Sequence, residues 1–194
     1  MKHKDKPTIW DGCGQSYQYK EYADLKFIVD EILKDGSSVF EGATGTGMFP
    51  TMLRKYGFKG RYLGSDYVDT FLEHARANNP NEQFMKVDLI NAIPLPDKSY
   101  DYFIVRHGME HVYPFDTFFA EAKRITRKKV ILSFWIDLKE NTQIRYNEEG
   151  KWNVNYYSRK EFFDCAAKGG LVLVAEPKIL CENNVTSHLY IFEV

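Results

Sequence analysis

A chain of 194 residues with 26 basic and 27 acidic side chains, a formal charge of -1, has room for one well-buried core and carries no net field that would hold a polyanion or an acidic membrane. Hydrophobic residues at 44% and charged residues at 27% give the balance of a globular protein and exclude a disordered tail or a coiled coil. Three cysteines, Cys13, Cys165 and Cys181, without Cys-x-x-Cys spacing, indicate neither a disulfide framework nor a metal site, and the charged opening with no long apolar stretch behind it predicts a cytoplasmic protein without a membrane span.

Tyr22, Leu25, Ile28, Val29, Ile32 and Leu33 recur at helical spacing and stop at Asp35-Gly36, which predicts a covering helix behind an N-terminal lid, together residues 1–35. Residues 38–41 read as a first strand, followed by a glycine-rich turn and a helix through Met52, Leu53 and Tyr56. A second strand over 61–65 ends at Asp66, and Val68, Phe71, Leu72 and Ala75 mark the next amphipathic helix. The third strand, 84–87, ends at Asp88; the fourth covers 100–105 after the prolines Pro94 and Pro96. Phe115, Phe118, Phe119, Ala122 and Ile125 form a helical stripe, and the apolar run 130–135 is the fifth strand, as a sheet covered on both faces requires. Beyond Trp135 the alternation breaks, and 144–147 and 152–157 around a polar turn predict an inserted hairpin within 137–157. Ser158 with Glu161 predicts a capping box for a helix that buries Phe162, Phe163 and Ala166 and stops at Gly169-Gly170, before strands at 171–175 and 189–194. No repeat or linker divides the chain, so residues 1–194 are expected to form a single mostly parallel α/β domain with its ligand at the carboxyl ends of the strands.

The segment Glu41-Gly42-Ala43-Thr44-Gly45-Thr46-Gly47 joins the first strand to the first helix of the sheet, where such folds hold a nucleotide, and its small residues let the backbone approach a ligand. Asp66 lies 19 residues past Gly47 at a strand end, where a carboxylate accepts hydrogen bonds from both ribose hydroxyls. Asp88 is placed to accept from an exocyclic amino group, with Tyr67 and Leu89 as apolar faces for a purine. Taken singly, either aspartate is an ordinary helix cap or turn residue; together with the loop they describe an adenosine pocket.

On these residues the chain resembles the class I S-adenosylmethionine-dependent methyltransferases of the small-molecule type, related to those of quinone biosynthesis. Glu41, Gly45 and Gly47 match the acidic residue and alternating glycines of the family's first motif, while Ala43 replaces the first glycine, a change compatible with negative φ at that position. The stretch 95–101 and His107-Gly108-Met109-Glu110-His111-Val112 resemble the family's passage through the fourth strand. The resemblance implies a doubly wound, Rossmann-like, mostly parallel seven-stranded sheet with helices on both faces and an antiparallel last strand. It implies S-adenosylmethionine as cofactor, held by Tyr17, Glu41, Ala43, Gly45, Thr46, Gly47, Asp66, Tyr67, Asp88, Leu89 and Arg106. Among the aromatic residues Trp10, Tyr17, Tyr19 and Tyr22 of the N-terminal segment, Tyr17 is the choice to face the sulfonium.

Methyl transfer from a sulfonium needs mainly positioning, with His107 or His111 as candidate base after the fourth strand. The sequence there has no Asn/Asp-Pro-Pro-aromatic run and the chain no Pro-Cys nucleophile, so a small-molecule acceptor is expected rather than a nucleic acid, in a monomer or a homodimer. Two alternatives stand beside this reading. Gly42-Ala43-Thr44-Gly45 with Tyr156 and Lys160 resembles an NAD(P)-dependent short-chain dehydrogenase, although Met48 falls where its third glycine belongs. A noncatalytic S-adenosylmethionine-binding scaffold would keep the same pocket.

Overall fold

The computed structural model describes residues 23–147, 152–181 and 186–194. In chain order it contains α1 (Ala23–Leu33), β1 (Ser38–Gly42), α2 (Met48–Lys55), β2 (Arg61–Asp66), α3 (Asp69–Asn78), β3 (Gln83–Lys86), β4 (Tyr100–Arg106), a 3-10 turn (Met109–His111), α4 (Asp116–Ile125) and β5 (Thr126–Phe134). A hairpin of β6 (Gln143–Asn147) and β7 (Trp152–Tyr156) follows, then α5 (Arg159–Lys168), β8 (Val172–Ala175), β9 (Lys178–Leu180) and β10 (Thr186–Glu193).

The sheet runs β3-β2-β1-β4-β5-β10-β8. Strands β1 to β5 are parallel, and β10 returns antiparallel to β5 through a register from His188 opposite Phe134 to Glu193 opposite Lys129. The order reverses at β1, which lies between β2 and β4, and leaves a crevice above its carboxyl end. Seven strands span the sheet as expected, but its edge is broken: β9 pairs with β10 on the side already used by β8. Pro177 lies in the break, where it cannot donate to the ladder.

Each face has its own core. Leu25, Ile28, Val29 and Ile32 of α1 and Phe49, Met52 and Leu53 of α2 pack against Val39, Tyr102, Ile104 and Ile131. On the opposite face Phe118, Phe119 and Ala122 of α4 and Phe162 of α5 meet Phe40, Phe103, Phe134 and Phe192. Phe162 is fully buried, with the rings of Phe115, Phe119, Phe134 and Tyr190 centred 5.1 to 5.7 Å away. The amino ends of the strands are latched by Asp101, which accepts from Ser37 N at 2.9 Å, Ser38 N at 3.1 Å and Arg127 Nε at 2.8 Å. Burial alone would raise this carboxyl, but the Arg127 guanidinium and Ser37 hold it well below the usual carboxylate range.

The start of α5 departs from the expected capping box. Ser158 Oγ accepts from Glu161 N at 3.4 Å, but Ser158 N donates to Thr142 Oγ1 at 2.9 Å, and the Glu161 carboxyl takes hydrogen bonds from Thr142 and Tyr113 instead of returning to the cap. The segment before the hairpin thus takes the place of the box's second half.

Candidate active site

The turn after β1 is built from residues in the left-handed region: Ala43 at φ 54°, Gly45 at 56° and Gly47 at 81°. Thr44 N donates to Ser65 O at 2.8 Å, which draws the turn against the end of β2. Gly47 caps α2; a Cβ there would lie 2.5 Å from Asn79 Nδ2, which instead donates to Gly47 O at 2.8 Å. Asn78 Nδ2 holds Thr46 O at 3.0 Å, so both asparagines closing α3 brace the turn from outside. The Cβ direction of Gly45 is open, with no atom of the described residues within 4 Å.

Ala43 does not keep the negative φ expected of it. A left-handed alanine costs roughly 1–2 kcal/mol, and its methyl sits against Gly108, where a Cβ would come within 2.4 Å of Ala43 Cβ. Gly108 has an ordinary φ of -119°, so it is glycine for space, not for conformation. Gly108→Ala is therefore expected to destabilise the protein by about 1–3 kcal/mol, and adding Ala43→Gly to recover most of that loss. Urea unfolding of the two single variants and the double variant measures the coupling, and additive losses would refute the contact.

Asp66 joins the turn to the next crossover. Its Oδ2 accepts from Gly45 N at 2.9 Å and its Oδ1 from Val68 N at 3.0 Å, and burial pushes the carboxyl up against the pull of these bonds. A carboxylate has about four acceptor sites, so with the Gly45, Val68 and Tyr67 amides on Asp66 a site remains for a ribose hydroxyl. Glu41 lies beneath the turn, 3% exposed, with Thr44 Oγ1 donating to its Oε2 at 2.6 Å and Tyr62 OH donating to the same oxygen. Burial raises Glu41 to about 7, with the bonds from Thr44 and Tyr62 opposing.

Tyr67, beside Asp66, is 42% exposed, with the Lys86 ammonium 5.6 Å from its ring centre. Asp88 is half-buried in an Asx turn, accepting from Ile90 N at 3.3 Å and from Asn91 Nδ2 at 3.1 Å. Leu89 is buried, with its methyls 3.0 Å from where a Gly42 Cβ would stand, so it supports the end of β1 from within the core. Tyr17 lies outside the described residues.

Past β4 the structure brings together residues that no pattern in the chain connects. Arg106 donates to Asp24 of α1 through Nε at 2.7 Å and Nη2 at 3.1 Å, and Asp24 is fully buried. Burial raises the Asp24 carboxyl, but the Arg106 guanidinium outweighs it and holds the group below its ordinary value. His107 is a non-glycine residue at φ 53°; its Nε2 lies 3.1 Å from Ser187 Oγ and 3.5 Å from Asp24 Oδ2. Burial, reinforced by Arg106, lowers His107 to about 3, so the ring is neutral at working pH. His111, the second base candidate, is half-buried on the 3-10 turn, with its N–H on Gly108 O at 3.2 Å. Glu110 is fully buried; Oε1 accepts from Trp135 N at 2.7 Å and Oε2 has no partner among the described residues. Burial raises it to about 7, despite the backbone bonds it accepts.

The pair invoked for the oxidoreductase alternative does not assemble. Tyr156 ends β7 under the Arg145 guanidinium, whereas Lys160 lies at the start of α5 with its side chain 83% exposed and paired to Asp164. Met48 opens α2 where a third pyrophosphate glycine would be needed.

A parallel sheet that reverses at β1, a returning antiparallel β10 and a glycine turn tied to a strand-end carboxylate define a class I methyltransferase fold. Residues 40–134 match the family model of the methyltransferase domain, and the chain belongs to the S-adenosylmethionine-dependent methyltransferases. Its fold is shared with the PH0226 protein of Pyrococcus horikoshii, at 23% identity and a TM-score of 0.67 over 87% of each chain. It is shared also with an S-adenosylmethionine-dependent methyltransferase of Mesorhizobium loti, at 14% identity and 0.69 over 95% of this chain and 100% of that one. A third is the 1,6-didemethyltoxoflavin N1-methyltransferase of Burkholderia thailandensis, at 11% identity and 0.69 over 88% and 76%. No curated protein matches the sequence. S-adenosylmethionine is the cofactor, and the donor set fits it: a carboxylate for a ribose hydroxyl beside a glycine whose outer face is open. Among the described residues no helix is long and apolar enough to cross a membrane.

Proposed function

We propose that the protein transfers the methyl group of S-adenosylmethionine to a small-molecule acceptor. The observation that carries the reading is the Asp66 carboxylate, fixed by Gly45 N and Val68 N at the mouth of the crevice, beside the open face of Gly45. In this reading Asp66 holds the ribose, Asp88 the adenine amine, Tyr67 one purine face, and Ala43, Gly45, Thr46 and Gly47 the approach of the amino acid portion, shaped from below by Glu41 and Leu89. Arg106 borders that portion at the end of β4. When bound, the cofactor supplies a sulfonium methyl with a good leaving group, so the protein's part is to align the acceptor, a contribution of roughly 7–11 kcal/mol in favourable cases. His107 and His111 border the acceptor's approach after β4. The toxoflavin-precursor enzyme of the same fold, a methyltransferase solved with its small-molecule substrate, supports this acceptor class.

Calorimetric titration with S-adenosylhomocysteine and, separately, with NADP is the test. Saturable binding of the first alone is expected; binding of NADP alone would overturn the assignment.

A further inference from the structure

Three polar groups from distant elements meet at the end of β4. Asp24 near the start of α1 and Ser187 in β10 are both fully buried, and His107 follows β4 with its ring about a quarter exposed. The carboxylate of Asp24, held ionised by Arg106, can only accept, so the Ser187 hydroxyl, 3.2 Å from Asp24 Oδ2, gives its one proton there. With that proton used, the Ser187 oxygen can only accept from His107 Nε2 at 3.1 Å. The second neighbour of Nε2, Asp24 Oδ2 at 3.5 Å, makes the same demand, since an unprotonated ring nitrogen would face a carboxylate oxygen. The other groups around the ring agree. Arg106 is a fixed cation that disfavours a second charge, and Cys181, 3.5 Å from both Ser187 Oγ and Asp24 Oδ1, brings no further acceptor that would draw a proton to Nδ1. His107 Nδ1 makes no hydrogen bond among the described residues. The left-handed φ of 53° is an unfavourable conformation for histidine, and the next residue in the chain, Gly108, lies against Ala43 of the cofactor turn.

We infer that Asp24 and Ser187 form a relay that fixes His107 as the tautomer protonated on Nε2, so that its Nδ1 lone pair faces the acceptor and selects substrates carrying a proton on the atom to be methylated, a hydroxyl or an amine. The inference rests on the methyl-transfer reading above and adds the acceptor class. His107 is the group that touches substrate; Ser187 and Asp24 are positioning residues. As the acceptor lone pair bonds the methyl carbon, the carbon–sulfur electron pair remains on sulfur; the acceptor proton, held toward Nδ1 before transfer and made acidic by the new bond, passes to water, and the ring stays neutral throughout. An acceptor without that proton, such as a carboxylate, offers Nδ1 only a lone pair and is repelled.

Long-range proton–nitrogen spectra of histidine-labelled protein at neutral pH, in complex with S-adenosylhomocysteine, read the tautomer directly. Protonated Nε2 and unprotonated Nδ1 at His107 are expected, and the opposite tautomer or a charged ring overturns the relay. Release of S-adenosylhomocysteine is then followed across hydroxyl, amine and carboxylate acceptors. Turnover confined to hydroxyl or amine compounds is expected, with kcat reduced about tenfold or more in Ser187→Ala and restored by Ser187→Thr. S-adenosylhomocysteine affinity in Ser187→Ala is expected to equal that of the parent protein. Methylation of a carboxylate, or an unchanged kcat in Ser187→Ala, overturns the inference while leaving the cofactor assignment intact; failure of the parent protein to bind S-adenosylhomocysteine would instead refute the assignment beneath it.

Discussion

Asp66→Ala is expected to weaken S-adenosylhomocysteine binding by about tenfold to a hundredfold while the protein remains folded. Hydrogen bonds to a charged partner contribute roughly 1.5–3 kcal/mol each, and about 1.4 kcal/mol is a factor of ten in affinity. The substitution removes the acceptor for the ribose and also frees the amides of Gly45 and Val68, which the same carboxylate now holds at 2.9 and 3.0 Å. Part of the loss is therefore disorder in the turn, and Asp66→Asn, which keeps one acceptor oxygen, should lie between the parent protein and the alanine variant. Calorimetry, with circular dichroism as the check on folding, decides the matter. Equal affinity in all three proteins would remove the ribose assignment.

The second large effect concerns stability. Glu110 is buried and raised from 4.5 to about 7, so the folded protein binds a proton that the unfolded chain releases near 4.5. A carboxyl raised in this direction contributes its full stability below the unfolded value and loses it as pH climbs through the folded one. The shift corresponds to about 3 kcal/mol, lost as the pH rises from 4.5 to about 7. In Glu110→Gln the amide oxygen still accepts from Trp135 N and nothing titrates. The variant should match the parent protein near pH ~5 and exceed it by about 3 kcal/mol near pH ~8. Comparing the two proteins is necessary because Glu41 is raised in the same way while His107 is lowered, and these oppose one another in the pH profile of either protein alone. Parallel urea stability curves across this range would show that the Glu110 carboxyl is not held protonated.

Periodicity and strand-end punctuation made most of the sheet legible. The five parallel strands are apolar runs ending in Gly, Asp or a polar turn, and each appears within a few residues of its expected place. The largest boundary error is at β5, which begins at Thr126 where the sequence is Thr-Arg-Lys-Lys. There the pattern is polar because Arg127, Lys128 and Lys129 pair with Asp101, Asp35 and Glu31 at the amino end of the sheet. The three-residue β9 was missed because it is too short to show alternation and follows a proline.

The site divided along the same line. Gly45, Gly47 and Asp66 were readable because their spacing is local and chemically constrained. Asp24 and Ser187 were not, since Asp24 lies 82 residues from Arg106 and 163 from Ser187 in the chain, and no pattern in a single sequence links them. Gly42 and Gly108 carried a weaker signal, their lack of a side chain, but the neighbours that require it, Leu89 and Ala43, emerge only from packing.

The interruption at Pro177 bears on how the molecule behaves in a crowded solution. Val172 and Leu180, 64% and 66% exposed, present apolar side chains along a border that no described strand pairs and that would otherwise template the growth of a fibril. Because the ladder there is cut into runs of four and three residues, a foreign strand finds no continuous rail of amides on which to align.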